Sequence, residues 1–336
     1  MQKKYQLSYN FGEYQIAINN FFNRLMQNSV HFFSEQMHEC KILKNCIGYE
    51  NPNFKKEFSK MHTFIKNVED FLYYYYLKDK RNFYNIFTQI SKLQAISVLD
   101  DADRGIYGIT NHNNTIQINP DLQGSKYLSS LERTRLYVAH ELGHILNKKW
   151  MRQVTEYLRE NKNLNPKQKQ LFYDGFSLLD EATTQDRAED IAYYYAHKKR
   201  PILMRYTDSR GMYGGDIYQT NFDFYGELQE PAIIFSRTLR GIGKIRDDSL
   251  AMQTLSKRAL SNNFASSIIT EYQKDQQTDN LHSIFQFLGR LKNASYARFG
   301  YGDKSYLESS KVAFQNYKNI ALKLRDYREP LDDIIL

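Results

Sequence analysis

Apolar positions in the first hundred residues recur at steps of three and four. Tyr14, Ile18, Phe21, Phe22, Leu25, Met26, Val30 and Phe33 would line one face of a helix lying within residues 11–39. The turn-rich string Cys46-Ile-Gly-Tyr-Glu-Asn-Pro52 interrupts this periodicity, and a second helical block is expected from Phe54 to about Leu93. The spacing then changes. Gly105-Ile-Tyr-Gly-Ile-Thr110 and Thr115-Ile-Gln-Ile-Asn119 read as two short strands, and Asn111-His-Asn-Asn114 between them as a hairpin turn. Helical periodicity returns at Leu131. It is broken by a loop at Asn161-Lys-Asn-Leu-Asn-Pro166, with a new helix after Gly175, from about Ser177 to Lys199. Residues 207–224 are rich in Gly, Tyr and Asp and read as a long surface loop. From Tyr225 to about Arg328 the pattern is helical again, broken at Gly300 and Gly302.

These elements predict an α+β, predominantly α-helical fold with a small antiparallel sheet. Three regions are expected: a helical N-terminal region over 1–98, a core over 99–205 and a helical C-terminal region over 206–336. With 336 residues, 41% of them apolar, the chain can bury a sizeable core, and only 6 Pro and 16 Gly favour long helices with short connections.

The candidate chemistry sits in one of those helices. His140-Glu141-Leu142-Gly143-His144 is an H-E-x-x-H string inside the apolar run Leu136–Leu146. Residues four apart share a helix face, so His140 and His144 can grip one metal ion, and Glu141 beside them can act as general base. Ser129 and Glu132 have the spacing of a capping box, which starts the helix just upstream. Two imidazoles and a carboxylate on an otherwise apolar helix need something to satisfy them, and zinc would do so. A hydrolytic zinc site takes three protein ligands and leaves one position open. Residues 147–154 contain no histidine, so the third ligand is expected from a downstream carboxylate. Glu181 is the favoured candidate and Glu189 its competitor, with Asp180, Asp186 and Asp190 as hydrogen-bond partners for the ligands.

These residues resemble known families. His140-Glu141-x-x-His144 with a downstream Glu is similar to the zincin metallopeptidases of the glutamate-ligand type, and Leu179-Asp-Glu181-Ala resembles the segment carrying their third ligand. Glu132-Arg-Thr-Arg-Leu-Tyr-Val-Ala-His-Glu-Leu-Gly-His-Ile-Leu146, preceded by the Thr115–Asn119 strand, is similar to bacterial ImmA/IrrE-type peptidases. Their later pattern is echoed by Glu189-Asp-Ile-Ala-Tyr-Tyr-Tyr-Ala196, which would make Glu189 the ligand. The resemblance covers residues 105–200. It implies a zincin-like core, a Zn²⁺ cofactor held by His140, His144 and Glu181, Glu141 as catalytic base, and a peptide or protein substrate. A Tyr or His would steady the oxyanion, with the Tyr213–Tyr225 loop and Tyr193–Tyr195 as candidates.

Charge and cysteine content adjust this picture little. The net charge of +8 is spread along the chain without a sustained basic run, so solvated helix faces are a better reading than nucleic-acid binding. A nucleic-acid-associated regulator and a non-catalytic zinc-containing binding protein stand as the alternatives to the enzyme. Cys40 and Cys46 match no zinc or redox spacing, and two thiols fit a reducing cytoplasm. The N-terminus lacks the apolar core of a signal peptide, and no stretch approaches the length of a membrane span.

Overall fold

The computed structural model describes residues 5–39, 52–99, 107–119, 128–198, 223–243, 245 and 247–298. Cys40 and Cys46, the Tyr213 loop as far as residue 222, and the Gly300/Gly302 break lie outside the described residues. The architecture is α+β and predominantly helical, as the periodicities predict. In chain order the elements are α1 (Gln15–Glu39), α2 (Pro52–Lys78), α3 (Phe83–Ile90), β1 (Ala95–Val98), β2 (Gly108–Thr110), β3 (Thr115–Ile118), α4 (Ser130–Glu160), α5 (Pro166–Tyr195), α6 (Asp223–Ser236), α7 (Asp248–Arg258), α8 (Phe264–Lys274) and α9 (Thr278–Arg298). None of the described helices is long and apolar enough to cross a membrane.

The chain forms two compact units. One comprises residues 1–146 and 188–199, the other residues 147–187 and 200–336. Helices α4 and α5 each contribute residues to both.

In the first unit the sheet has the order β1-β3-β2, with β1 parallel and β2 antiparallel to β3. The expected hairpin is present: Asn111 N–H donates to Thr115 O at 2.9 Å, and Asn114 closes the turn at φ 61°, a conformation that asparagine tolerates better than most residues. The sheet is mixed, however, not purely antiparallel. Strand β1 lies where the apolar pattern predicts the end of a helical block. All four of its residues are buried, so it lacks the alternation that marks a half-exposed strand. Its Ile96 N–H donates to the buried Ser29 hydroxyl of α1 at 2.9 Å.

Helices α1 to α3 pack an aromatic core in which Phe22, Phe64, Phe71 and Phe83 are fully buried. Asp70 on α2 ties four segments of this unit together. Its carboxylate accepts from the Tyr9 hydroxyl, Lys66 Nζ and Arg135 Nε, each at 2.9 Å, and its main-chain oxygen accepts from the Tyr195 hydroxyl at 2.8 Å. The neighbouring Glu69, fully buried, accepts from the Tyr5 hydroxyl and the Tyr9 N–H. The N-terminal segment, α2 and the start of α4 are thereby held by charge-assisted bonds, and the end of α5 by a neutral hydroxyl-to-carbonyl bond.

The second unit is all helical. Trp150 of α4, Phe172 and Phe176 of α5, Phe235 of α6 and Phe285 of α9 are fully buried in its core. Helix α5 begins with a reciprocal cap: Asn165 N–H donates to Gln168 Oε1 and Gln168 N–H to Asn165 Oδ1, with Pro166 at the first helical position. It then runs unbroken through Gly175, where a new helix start is expected from sequence. Gly175 serves packing: a Cβ there would sit 2.1 Å from the Phe285 carbonyl oxygen of α9. Gly289 of α9 faces the Leu171 carbonyl oxygen in the same way, at 2.0 Å.

Candidate metal centre

The H-E-x-x-H helix starts where its capping box places it. Ser129 N–H donates to Glu132 Oε2 at 2.6 Å, and Glu132 N–H to Ser129 Oγ at 3.4 Å. Leu136, Val138, Ala139, Leu142 and Ile145 are all buried, so the apolar face of α4 is seated in the first unit. Within that face His140 and Glu141 are each 5% exposed, and His144 is half-buried.

The two imidazoles converge. Their Nε2 atoms are 3.1 Å apart and their rings meet edge-on, 4.8 Å between centroids. Two nitrogens bound to one tetrahedral zinc at about 2.0–2.1 Å would be separated by about 3.3 Å. The pair therefore fits one ion with little movement, and the donor set of two imidazoles beside a carboxylate suits zinc. The same spacing lets one neutral imidazole donate to the other when no ion is bound. One ligand atom from each of His140, Glu141 and His144 lies within 4.8 Å of the others, the one such cluster of three among the described residues.

Glu141 is anchored by the strand that precedes its helix. Thr110 Oγ1 of β2 lies 2.7 Å from Glu141 Oε2 and 2.9 Å from the Glu141 main-chain oxygen. Two residues earlier, Gly108 leaves space for the carboxylate, since a Cβ there would lie 2.7 Å from Glu141 Oε1 and 2.8 Å from its Cγ. Nothing in the sequence pattern marks Gly108 or Thr110 as partners of Glu141, because the contact depends on how β2 is laid across α4. Tyr107 and Tyr137 meet at a tilt of 36° with centroids 4.7 Å apart, and burial holds the Tyr137 hydroxyl above the usual tyrosine range, in its neutral form.

The remaining candidates lie on α5. Glu189 is 8% exposed and belongs to the first unit, with His140 and His144. Glu181 belongs to the second unit, where its Oε1 accepts from the Tyr296 hydroxyl at 3.2 Å. Asp180 accepts from Asn147 Nδ2 at 2.7 Å, Asp186 is buried, and Asp190 is half-buried. Of the tyrosines named for the oxyanion, Tyr195 donates to Asp70 and carries the Arg135 guanidinium on its ring, while Tyr194 packs edge-on against Tyr74.

No protein-family model, curated protein or solved structure matches this chain.

Proposed function

We propose that this protein is a zinc-dependent metallopeptidase. The convergence of His140 Nε2 and His144 Nε2 at 3.1 Å, with Glu141 adjoining on the same helix, carries the reading. His140 and His144 would hold the ion. For the third ligand, Glu189 is favoured over Glu181, the residue preferred from sequence, because it is a buried α5 carboxylate in the same unit as the histidines.

When bound, zinc polarises a peptide carbonyl and acidifies a water molecule. The chain's own groups supply the rest. Glu141 accepts the proton from the attacking water and returns it to the leaving amine, a role worth about 10²- to 10⁴-fold in rate. Its burial limits contact with bulk water, which strengthens charge interactions at the site. Thr110 and Gly108 fix its orientation from the side of the sheet.

The test combines elemental zinc analysis with hydrolysis of fluorescein-labelled casein. His140→Ala should lose zinc, whereas Glu141→Gln should retain it and lose hydrolysis. Glu189→Ala should lose zinc and Glu181→Ala should keep it; the opposite pair of results assigns Glu181. Zinc retained in His140→Ala, or casein cleaved at an unchanged rate by Glu141→Gln, would overturn the proposal.

A further inference from the structure

Glu141 has two possible fates beside a metal. Its carboxylate oxygen lies within 4.8 Å of both histidine ligand atoms, near enough that a side-chain rotation could make it a ligand itself. An anionic oxygen is a good donor to zinc, and a site completed that way would lose the open position that hydrolysis needs. Something must therefore hold the carboxylate aside for it to serve as a base.

We propose that Thr110 is the positioning residue that keeps Glu141 off the metal. The inference rests on the metal reading above. Successive helical residues point about 100° apart, so Glu141 does not share the face of His140 and His144 unless its side chain bends toward them. Strand β2 takes up that freedom. The Thr110 hydroxyl lies 2.7 Å from the carboxylate and 2.9 Å from the Glu141 main-chain oxygen, and the backbone that carries it is held by pairing of β2 with β3 at Thr110 and Ile116. Gly108 contributes by omission, since any side chain there would collide with Glu141 Oε1 and Cγ and displace the carboxylate. The bond is to a carboxylate and so belongs to the stronger class of hydrogen bonds. Pinned in this way, the carboxylate stays beside the open position without entering it.

The experiment uses the 336-residue protein reconstituted with Co²⁺, whose visible absorption bands change with the identity and number of the ligands. Wild type and Thr110→Ser should give the same spectrum, because serine retains the hydroxyl. Thr110→Val, similar in shape but without the donor, should shift the bands as the Glu141 carboxylate takes the open position on the metal. The double variant Thr110→Val/Glu141→Gln should return to the wild-type spectrum, since an amide is a poor ligand. Gly108→Ala should shift the bands in the same direction as Thr110→Val. With zinc, Thr110→Val should keep full metal content while casein hydrolysis falls about 10- to 100-fold.

A Thr110→Val spectrum equal to wild type would overturn the proposal. So would a spectral change that persists in the double variant, because it could not then arise from Glu141. Absence of any cobalt spectrum in wild type would overturn the metal reading and this inference together, and is distinguishable from the other two outcomes. Thermal melts of the apo proteins identify any variant that fails to fold, with Thr110→Ser as the retained reference.

Discussion

Replacing Gly175 by alanine tests the close contact between α5 and α9. In an exposed helix this change stabilises by about 1 kcal/mol, because glycine is the weaker helix former. At position 175 the new methyl would lie 2.1 Å from the Phe285 carbonyl oxygen and 2.9 Å from its carbonyl carbon, both backbone atoms that cannot rotate away. To reach ordinary contact at 3.4 Å, α9 must move outward by more than an ångström. That movement opens the Phe176–Phe285 stack, whose centroids are 3.9 Å apart, and the Phe172–Phe285 contact at 5.2 Å. Overpacking of this kind costs about 1–3 kcal/mol. With two contacts among three fully buried rings opened, the upper part of that range outweighs the helix-propensity gain, and a net loss of about 1–2 kcal/mol is expected. Trp150 is the only tryptophan in the chain and is fully buried in this unit. Urea unfolding followed by its fluorescence therefore reports on the unit that changes. Gly289→Ala should behave alike, facing Leu171 O at 2.0 Å, and the double variant should cost less than the two singles combined, because one outward shift relieves both clashes. An increase in stability for Gly175→Ala would refute the packing argument outright.

Two further outcomes follow from buried polar groups. Burial lowers the pKa of His282, with Asp279 opposing, and its Nε2 lies 2.7 Å from the Tyr157 hydroxyl and 3.2 Å from Asn161 Nδ2. A folded-state pKa below the unfolded 6.5 means that its stabilising contribution is present above pH 6.5 and is lost as pH falls through that value toward the folded pKa. The urea midpoint reported by Trp150 should therefore fall between pH 7.5 and 5, and less steeply in His282→Gln; identical slopes would contradict this. Asp70→Ala removes the carboxylate shared by Tyr9, Lys66 and Arg135, leaving Arg135 without its buried partner while Lys66 keeps Glu69, and should cost about 3 kcal/mol in urea unfolding followed by circular dichroism. An unchanged midpoint would show that solvent replaces the pair at no cost.

Local signals in the sequence are matched by the structure wherever the interaction is itself local. The Ser129/Glu132 cap and the Asn111–Asn114 turn are complete within a few residues, and both form as the sequence indicates. Asn165-Pro166-Lys-Gln168 carries the same kind of capping signal, and it announces the start of α5 before Gly175. Features that depend on a distant partner are not legible in this way. Strand β1 is a four-residue buried run, and only its pairing with β3 distinguishes it from the end of a helix. Gly175 reads as a helix break until α9 is seen against it. At the candidate metal centre, the i, i+4 spacing brings His140 and His144 together without help from the rest of the fold. Thr110 meets Glu141 across 31 residues, so the restraint on this carboxylate depends on the placement of β2.

The bond between Ser29 and Ile96 has a consequence for solution behaviour. An outer strand with free amides is a template for pairing with other chains. On β1 the Ile96 amide faces outward from the sheet, and a hydroxyl from α1, 67 residues away, already occupies it. The N-terminal helix thus acts as a guard on that flank, blunting its use for self-association. A chain shortened past Ser29 would bare that amide to other chains, and would also lose the buried Phe11, Phe22 and Leu25.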